Sequence, residues 1–475
     1  MKRVTLVLLL SIAGVYAVQN PVTSQTAPER STADGWEKAA EVLSRIKAPS
    51  FPDRALRITD YGAVAGGRQD NAAAIREAIA ACHAAGGGHV VVPAGVFLTG
   101  AIHLKSNVDL HLERGATLEF STDPAAYLPV VFTRWEGIEC LNYSPFIYAF
   151  EQENIAVTGE GTLDGAASDA SWWAWARRGP NRESLAAPDV RRLNELSEQG
   201  VAVDQRVFGA GHYLRPNLIQ PYRCKNVLIE GVTILRSPMW EVHPVLCSNV
   251  IVRDLKITTH GPNNDGCDPE SSRDVLIEGC LFDAGDDCIA IKAGRNDDGR
   301  RVGVASENLI VRRCTMKDGH AGVAIGSEIA GGCRNVFVED CRMDSPNLQR
   351  ALRIKSNARR GGVVENVRMR HTDIGRVAEA LLTIDFLYEE GPQGAFPPTA
   401  RDILIESVTS HSTPRLFFIQ GFEGATIDRV RVANSTFSGV EAGEVVQHAG
   451  RIELDHVTIV PAGPARSLSS RQLVP

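Results

Sequence analysis

The chain has 475 residues, of which 44% are hydrophobic, 6% aromatic and 23% charged. That composition fits neither a disordered chain, a collagen-like repeat nor a membrane bundle. Its 50 basic and 57 acidic side chains leave a formal charge of -7, so there is no basic excess to steer nucleic acid and no acidic tail.

In chain order, the first signal is the one long apolar run, residues 4–15, preceded by Lys2 and Arg3 and followed by Val15-Tyr16-Ala17. A basic start, a short apolar core and small residues before a cut predict a secretory signal peptide over residues 1–17, and so a secreted or periplasmic protein. A membrane anchor would need about 20 apolar residues, and the run is too short for one. Residues 18–34 are rich in Pro, Ser, Thr and Gln; with a short helix over 36–47 they form a leader or linker spanning 18–50. A second helix is expected after Asp70, which can cap it, with Ile75, Ala78, Ile79 and Cys82 on one face and a stop at Gly86-Gly87-Gly88.

From Val90 onward short strands follow one template: a polar residue, usually Asn, a β-branched pair at positions two and four, and an apolar residue at position nine. Clear copies begin at Asn226, Asn249, Asp274, Asn308, Asn335, Asn366 and Asp402, with degenerate ones at Arg429 and Arg451 and weaker early ones at Asn107 and Asn154. From Asn226 the spacing runs from 22 to 36 residues, the length of one turn of a parallel β-solenoid. A sandwich or propeller would separate its strands by regular hairpin turns, which this pattern lacks. The fold class is therefore all-β, a single right-handed parallel β-helix over residues 51–475. The helix after Asp70 caps its open N-terminal end, and a long insertion occupies about 165–216.

Position seven of the template holds Val232, Leu255, Cys280, Cys314, Cys341, Thr372 and Val408. Coils stack ~4.8 Å apart, so like residues form an internal ladder, and the three cysteines read as buried core thiols rather than disulfides. The ten cysteines contain no CxxC pair, which argues against a zinc site. The insertion carries Trp172-Trp173-Ala174-Trp175 and a helix near 189–199. It either decorates the solenoid or walls a substrate cleft with exposed tryptophans.

Four clusters fall on consecutive coils: Asn263-Asn264-Asp265-Gly266, Gly285-Asp286-Asp287, Gly319-His320 and Arg353-Ile354-Lys355. Asp286 lies 12 residues after Asp274 and His320 12 after Asn308, so the two should stack, with Asp265 one coil earlier and Arg353 one later. The set spans roughly 14 Å along one face. Asp286 and Asp287 would point to opposite faces of a regular strand; Gly285 permits a break that turns both into one cleft. Glycoside hydrolysis needs one carboxylic acid for the leaving oxygen and another carboxylate for water or attack. Crowded carboxylates cannot all ionise, so one pKa should rise and supply the acid. Arg353 and Lys355 share a face and can hold an anion, with Arg350, Arg359 and Arg360 adding a basic patch. Clustered Asp can also bind metal, but histidine partners are scarce and a calcium loop would want more acids.

These four clusters resemble the signature motifs of the polygalacturonases, glycoside hydrolase family 28. The resemblance runs from about residue 58 to about 459 and includes Asp60-Tyr61-Gly62-Ala63 and Gly161-Thr162-Leu163-Asp164-Gly165. It implies a right-handed parallel β-helix that cleaves α-1,4-linked galacturonic acid in pectin with inversion and no cofactor. By the resemblance Asp286 matches the general acid, Asp265 and Asp287 the carboxylates that hold and activate water, and His320 a histidine that supports the acid. Arg353 and Lys355 match the pair that binds the galacturonate carboxylate, and Asn263 joins the substrate-binding set. Two departures are Asn264 for the usual threonine and Ala321 where the family often has glycine.

The expected partner is a pectic galacturonan, with no nucleic acid, membrane or metal; oligomeric state is left open. Rival readings are a rhamnogalacturonan hydrolase, a calcium-dependent pectate lyase on the same solenoid, and a non-catalytic glycan-binding solenoid. For inversion, carboxyl groups about 6.5–9.5 Å apart are expected. Chain-end attack is favoured because the 165–216 insertion and the Arg-rich stretch 294–301 can wall off one end, with Arg side chains and tryptophans on the terminal sugar. Asp297 and Asp298 are expected to face solvent.

Overall fold

The computed structural model describes residues 33–177 and 183–462. The expected signal peptide, the first part of the leader, residues 178–182 of the insertion and the last 13 positions, 463–475, lie outside the described residues. The chain winds into a long parallel solenoid in which a 23-stranded sheet wraps two sides and a third side carries the remaining parallel strands. Those are Ile102–His103, Ile147–Phe150 and Ile219–Tyr222, then Ile289–Ile291, Val323–Ile325, Arg350–Lys355, Ala380–Asp385, Phe417–Gln420 and Val445–Gln447. Single bridges Ile219↔Val242, Val242↔Cys267 and Cys267↔Ile289 join the two groups into one column of coils.

Each coil start is fixed by its template residue. Asn107, Asn154, Asn226, Asn249, Asp274, Asn308, Asn335, Asn366 and Asp402 all have φ between 53° and 64°, the left-handed region that asparagine and aspartate tolerate best after glycine. Their side chains stack as a ladder. The Asn154 amide donates to Asn107 (3.0 Å), Asn226 to Asn154 (2.8 Å), Asn335 to Asn308 (2.9 Å) and Asn366 to Asn335 (2.8 Å). Beneath it the β-branched positions point inward and are fully buried, as are Val232, Leu255, Cys280, Cys314, Cys341, Thr372 and Val408. All ten cysteines are buried and unbridged.

Helix α2 (Ala72–Ala84) buries Ile75, Ala78, Ile79 and Cys82 against the first coils, and the Asp70 carboxylate accepts from the Ala72 N–H at 2.9 Å. The short helix expected within 18–50 is helix α1 (Ala33–Arg45), and it is docked on the solenoid. Trp36, Ala39, Val42 and Ile46 pack on Ala156, Leu228, Ile251, Leu276, Ile310 and Phe337, the outward-facing third template position of successive coils. Those large apolar residues face outward because a helix covers them. Arg45 pairs with Asp274 and the Lys47 N–H donates to Asn249, tying the helix end to the ladder.

An antiparallel hairpin, Val131–Trp135 with Ile138–Asn142, interrupts the parallel winding, although the sequence pattern predicted no hairpin. Helix α3 (Ala187–Glu198) and helix α4 (Asn296–Val302) pack beside it.

Because Asn335 both donates and accepts in the ladder and holds φ at 59°, Asn335→Ala is expected to cost about 2–3 kcal/mol, from lost hydrogen bonds and left-handed backbone strain. Asn335→Gly, which loses the same hydrogen bonds but adds no left-handed strain, should cost less. Thermal melts of both variants check this; equal loss in the two would contradict it.

Candidate active site

The third side of the solenoid positions all four sequence clusters. Register pairs Cys267 with Ile289 and Ile289 with Val323, which sets Asp265 beside Asp287 and Asp286 beside His320. The expected stacking of Asp286 and His320 is observed: the His320 N–H donates to the Asp286 carbonyl (3.0 Å), and His320 Nδ1 lies 2.9 Å from Asp286 Oδ1. Small residues Ala290, Ala321 and Ala324 form a buried group on the same side and leave room above them for a cleft.

Asp286 and Asp287 sit in the turn between strands Leu281–Ala284 and Ile289–Ile291, and do converge. One oxygen each from Asp265, Asp286 and Asp287 lies within 4.8 Å of the others. That figure is between nearest oxygens, whereas the gap of about 6.5–9.5 Å expected above is between whole carboxyl groups; the oxygens come this close because two of the carboxylates leave one turn. Gly285 is needed for close approach: a Cβ there would lie 2.6 Å from the Gly261 carbonyl oxygen. Asn264, buried, accepts from the Gly261 N–H (2.6 Å) and Thr259 hydroxyl (2.5 Å) and donates to the Ser237 (3.0 Å) and Met239 (2.9 Å) carbonyls. A threonine has no amide to span both carbonyls. Asn263 accepts from Arg215 at 2.6 Å, so the end of the insertion clamps the turn that presents Asp265.

The charge distribution differs from the simplest expectation. Burial pushes Asp286 up, but the His320 hydrogen bond and the Lys355 charge outweigh it and hold it at about 2. The hydrogen bond to Asp286 in turn raises His320. Burial, then Asp268 and Asp286, push Asp265 well above the carboxylate range. The raised carboxyl of the trio is therefore Asp265, while Asp286 is held low against His320. Lys355 Nζ lies 2.8 Å from Asp287 Oδ2, and Arg353 Nη1 3.8 Å from its other oxygen. Lys355 thus already pairs with a carboxylate of the cluster.

Sequence reasoning missed a second tier. Lys292, buried, faces Asp268 (3.3 Å), Glu328 (3.5 Å) and Asp265 (3.7 Å), and stands 4.3 Å from the Trp240 ring centroid. Its signal was a lone lysine ending the apolar run Cys288-Ile289-Ala290-Ile291. Glu241, behind, is fully buried, and burial raises its pKa well above the usual range. The expected basic patch is neutralised: Arg360 pairs with Glu389 and Glu390, Arg359 with Glu198, and Arg350 with Glu379.

The open cleft, counted with the solvent space at its mouth, takes in about 840 Å³ and includes Glu136, Asp265, Asp286, Arg295, His320 and Lys355 among its lining residues. Part of its wall comes from the hairpin tip, through Glu136, and from Arg295 just before α4. Asp298 is buried rather than facing solvent, held by Arg206 (2.6 Å) and by the Glu139 N–H (2.8 Å); Asp297 is exposed. The arginines of this wall mostly bind protein: Arg300 stacks on Phe396 and donates to two carbonyls, and Arg301 pairs with Glu139. Arg295 alone of the 294–301 stretch lines the cleft. Trp172 is buried against Tyr127 and Phe146, and the Trp173 indole donates to the Ser237 carbonyl at 2.9 Å. These tryptophans pin the insertion instead of presenting a sugar platform.

A metal would need the carboxylates of Asp265, Asp286 and Asp287, or those of Asp283 and Asp318 with His260, whose donor atoms also converge. Two ammonium groups, Lys292 and Lys355, already neighbour the first set, so like-charge repulsion opposes a cation there.

Residues 209–447 match the family described as Glycosyl hydrolases family 28. The chain belongs to that family. It is 30% identical over 355 residues to a probable polygalacturonase of Vitis vinifera, an alignment covering 72% of this chain and 65% of that protein. It is 26% identical to an exo-poly-alpha-D-galacturonosidase of Dickeya chrysanthemi, over 71% of this chain and 58% of the other. The alignments thus span less than two thirds of these relatives. The crystal structure of a hyperthermoactive exopolygalacturonase from Thermotoga maritima superposes with a TM-score of 0.86 at 41% identity, covering 90% of this chain and 96% of that one.

In this family-28 chain Asp268 has a testable signature. Burial pushes its pKa up to about 8, partly countered by Lys292. A folded pKa above the unfolded value of about 3.9 means the native state holds the extra proton between those limits, so stability falls as pH rises from 4 to 8. Asp268→Asn should flatten that slope in thermal melts taken across the range. An unchanged slope would show that Asp268 ionises normally.

Proposed function

We propose that the protein hydrolyses α-1,4-galacturonosidic bonds of polygalacturonate by single displacement, without cofactor and from the chain end. The observation that carries this is the convergence of Asp265, Asp286 and Asp287 within 4.8 Å, flanked by His320, Arg353 and Lys355. Asp286 donates the proton to the leaving oxygen, recharged by His320 across their 2.9 Å contact. A substrate carboxylate near Lys355 and Arg353 draws their charge away from the Asp cluster, which favours transfer of that proton from His320 to Asp286. Asp265 and Asp287 hold the water. Asp265 must be ionised to accept the water's proton, and Lys292 beside it at 3.7 Å favours that form.

Arg353 and Lys355 neutralise the galacturonate carboxylate, which favours uronate over rhamnose at the cleaved bond. The proton donor paired with histidine favours hydrolysis over calcium-dependent elimination. Chain-end attack is supported by the hairpin tip and Arg295 in the wall of the cleft, and by the likeness to the Thermotoga exopolygalacturonase. Export, to the periplasm or outside the cell, rests on the apolar run at 4–15.

Incubation with polygalacturonate in a chelator should release galacturonate monomer early, with little loss of viscosity and no ultraviolet-absorbing product. Asp286→Asn should lower kcat by several orders of magnitude while KM stays within a few-fold. Lys355→Ala should lower kcat as well as raise KM, since it leaves Asp287 short of a partner. Near-normal turnover in Asp286→Asn would refute the acid assignment. Proton NMR should show the anomer opposite to the substrate's in the first product; the same anomer would refute single displacement.

A further inference from the structure

This part of the cleft wall is built around one guanidinium. Arg295 faces Glu136 (3.1 Å), Glu328 (3.7 Å) and Glu389 (3.9 Å). Glu136 stands at the tip of the hairpin, with φ 41°, and lines the same cleft as Asp265 and Asp286. The tip is pressed onto Arg295: the Arg295 N–H donates to the Gly137 carbonyl at 3.0 Å, and a Cβ on Gly137 would lie 2.6 Å from that nitrogen. Glu136 is therefore placed by backbone contact as well as by its ion pair.

Resting on the chain-end reading above, we propose that Glu136 is a specificity residue for the polymer's non-reducing end, accepting a hydrogen bond from the free C4 hydroxyl of the terminal sugar. Glu328 and Glu389 are also held by Lys292 and Arg360, which leaves Glu136, paired with Arg295 alone among the described residues, to accept a hydrogen bond from a hydroxyl; Arg350, Arg353 and Lys355 line the same cleft. Asp265, the water-holding carboxylate, belongs to the coil before Asp286, and Arg353 and Lys355 to the second coil after it. In this assignment the sugar under attack lies toward Asp265 and the leaving chain runs over Arg353 and Lys355. In a pyranose ring C4 lies opposite C1, so the C4 hydroxyl of that terminal sugar points away from the broken bond and toward Glu136. A chain end produced by a lyase carries a C4–C5 double bond and lacks this hydroxyl.

The test compares kcat/KM of the full protein on saturated trigalacturonate and on its counterpart unsaturated at the non-reducing end, with product identity read by chromatography. Loss of a hydrogen bond to a charged group predicts that the wild type prefers the saturated substrate by about 10- to 100-fold. Glu136→Ala should slow the saturated substrate and bring the ratio near one, while Glu136→Gln, which keeps an acceptor, should retain part of it. Equal rates on the two substrates in the wild type, or an unchanged ratio in Glu136→Ala, overturn the assignment even if monomer is released from chain ends. Release of mixed internal fragments by the wild type overturns the chain-end reading itself, and the assignment with it.

Discussion

The structure depends on the hydrogen-bonded register between successive coils. Parallel pairing fixes each coil ~4.8 Å from the next, so whatever occupies a given template position becomes a column. Inward positions form apolar columns, each fully buried Val, Ile or Leu contributing roughly 1.5–3 kcal/mol. The asparagine starts form a polar column that locks the left-handed bends. The same register brings Asp265 beside Asp287 and Asp286 beside His320, although the four residues span 55 positions of sequence. No coil holds the chemistry; the stacking does.

That geometry carries an electrostatic cost, which explains the second tier. Burying several carboxylates in one place is tolerated only where they are paired or protonated. Lys355 serves Asp287, His320 serves Asp286, and Lys292 serves Asp265, Asp268 and Glu328 together. Among the described residues Glu241 has no such cation, and burial drives it toward its neutral form. The cluster thus divides into Asp286, held low by His320 and Lys355, and Asp265, pushed up by burial and by Asp268 and Asp286.

Much of this was legible in the sequence because it is periodic. The template starts, the cysteine column at position seven and the equal offset of Asp286 and His320 from Asp274 and Asn308 all follow from counting. What escaped was whatever the period does not encode. Helix α1 was read as part of a linker, yet Leu228, Ile251, Leu276, Ile310 and Phe337 at an outward position required a cover. The burial of Asp298 depends on segments far apart, such as Arg206 with Asp298 at a separation of 92, and the hairpin is local pairing across Glu136-Gly137 that the coil template does not encode. Arg359 and Arg360 looked like a free basic patch because their acidic partners, Glu198, Glu389 and Glu390, lie on other loops. Which carboxyl carries a raised pKa was equally invisible, since burial and neighbours decide it.

The central claim, that stacking turns separate side chains into one proton-transfer device, is tested most directly by a double-mutant cycle on Asp286→Asn and His320→Ala. Groups that act as a unit lose little more together than singly. The account predicts that the double variant hydrolyses polygalacturonate within a few-fold of Asp286→Asn alone. Losses in kcat that multiply independently would contradict it.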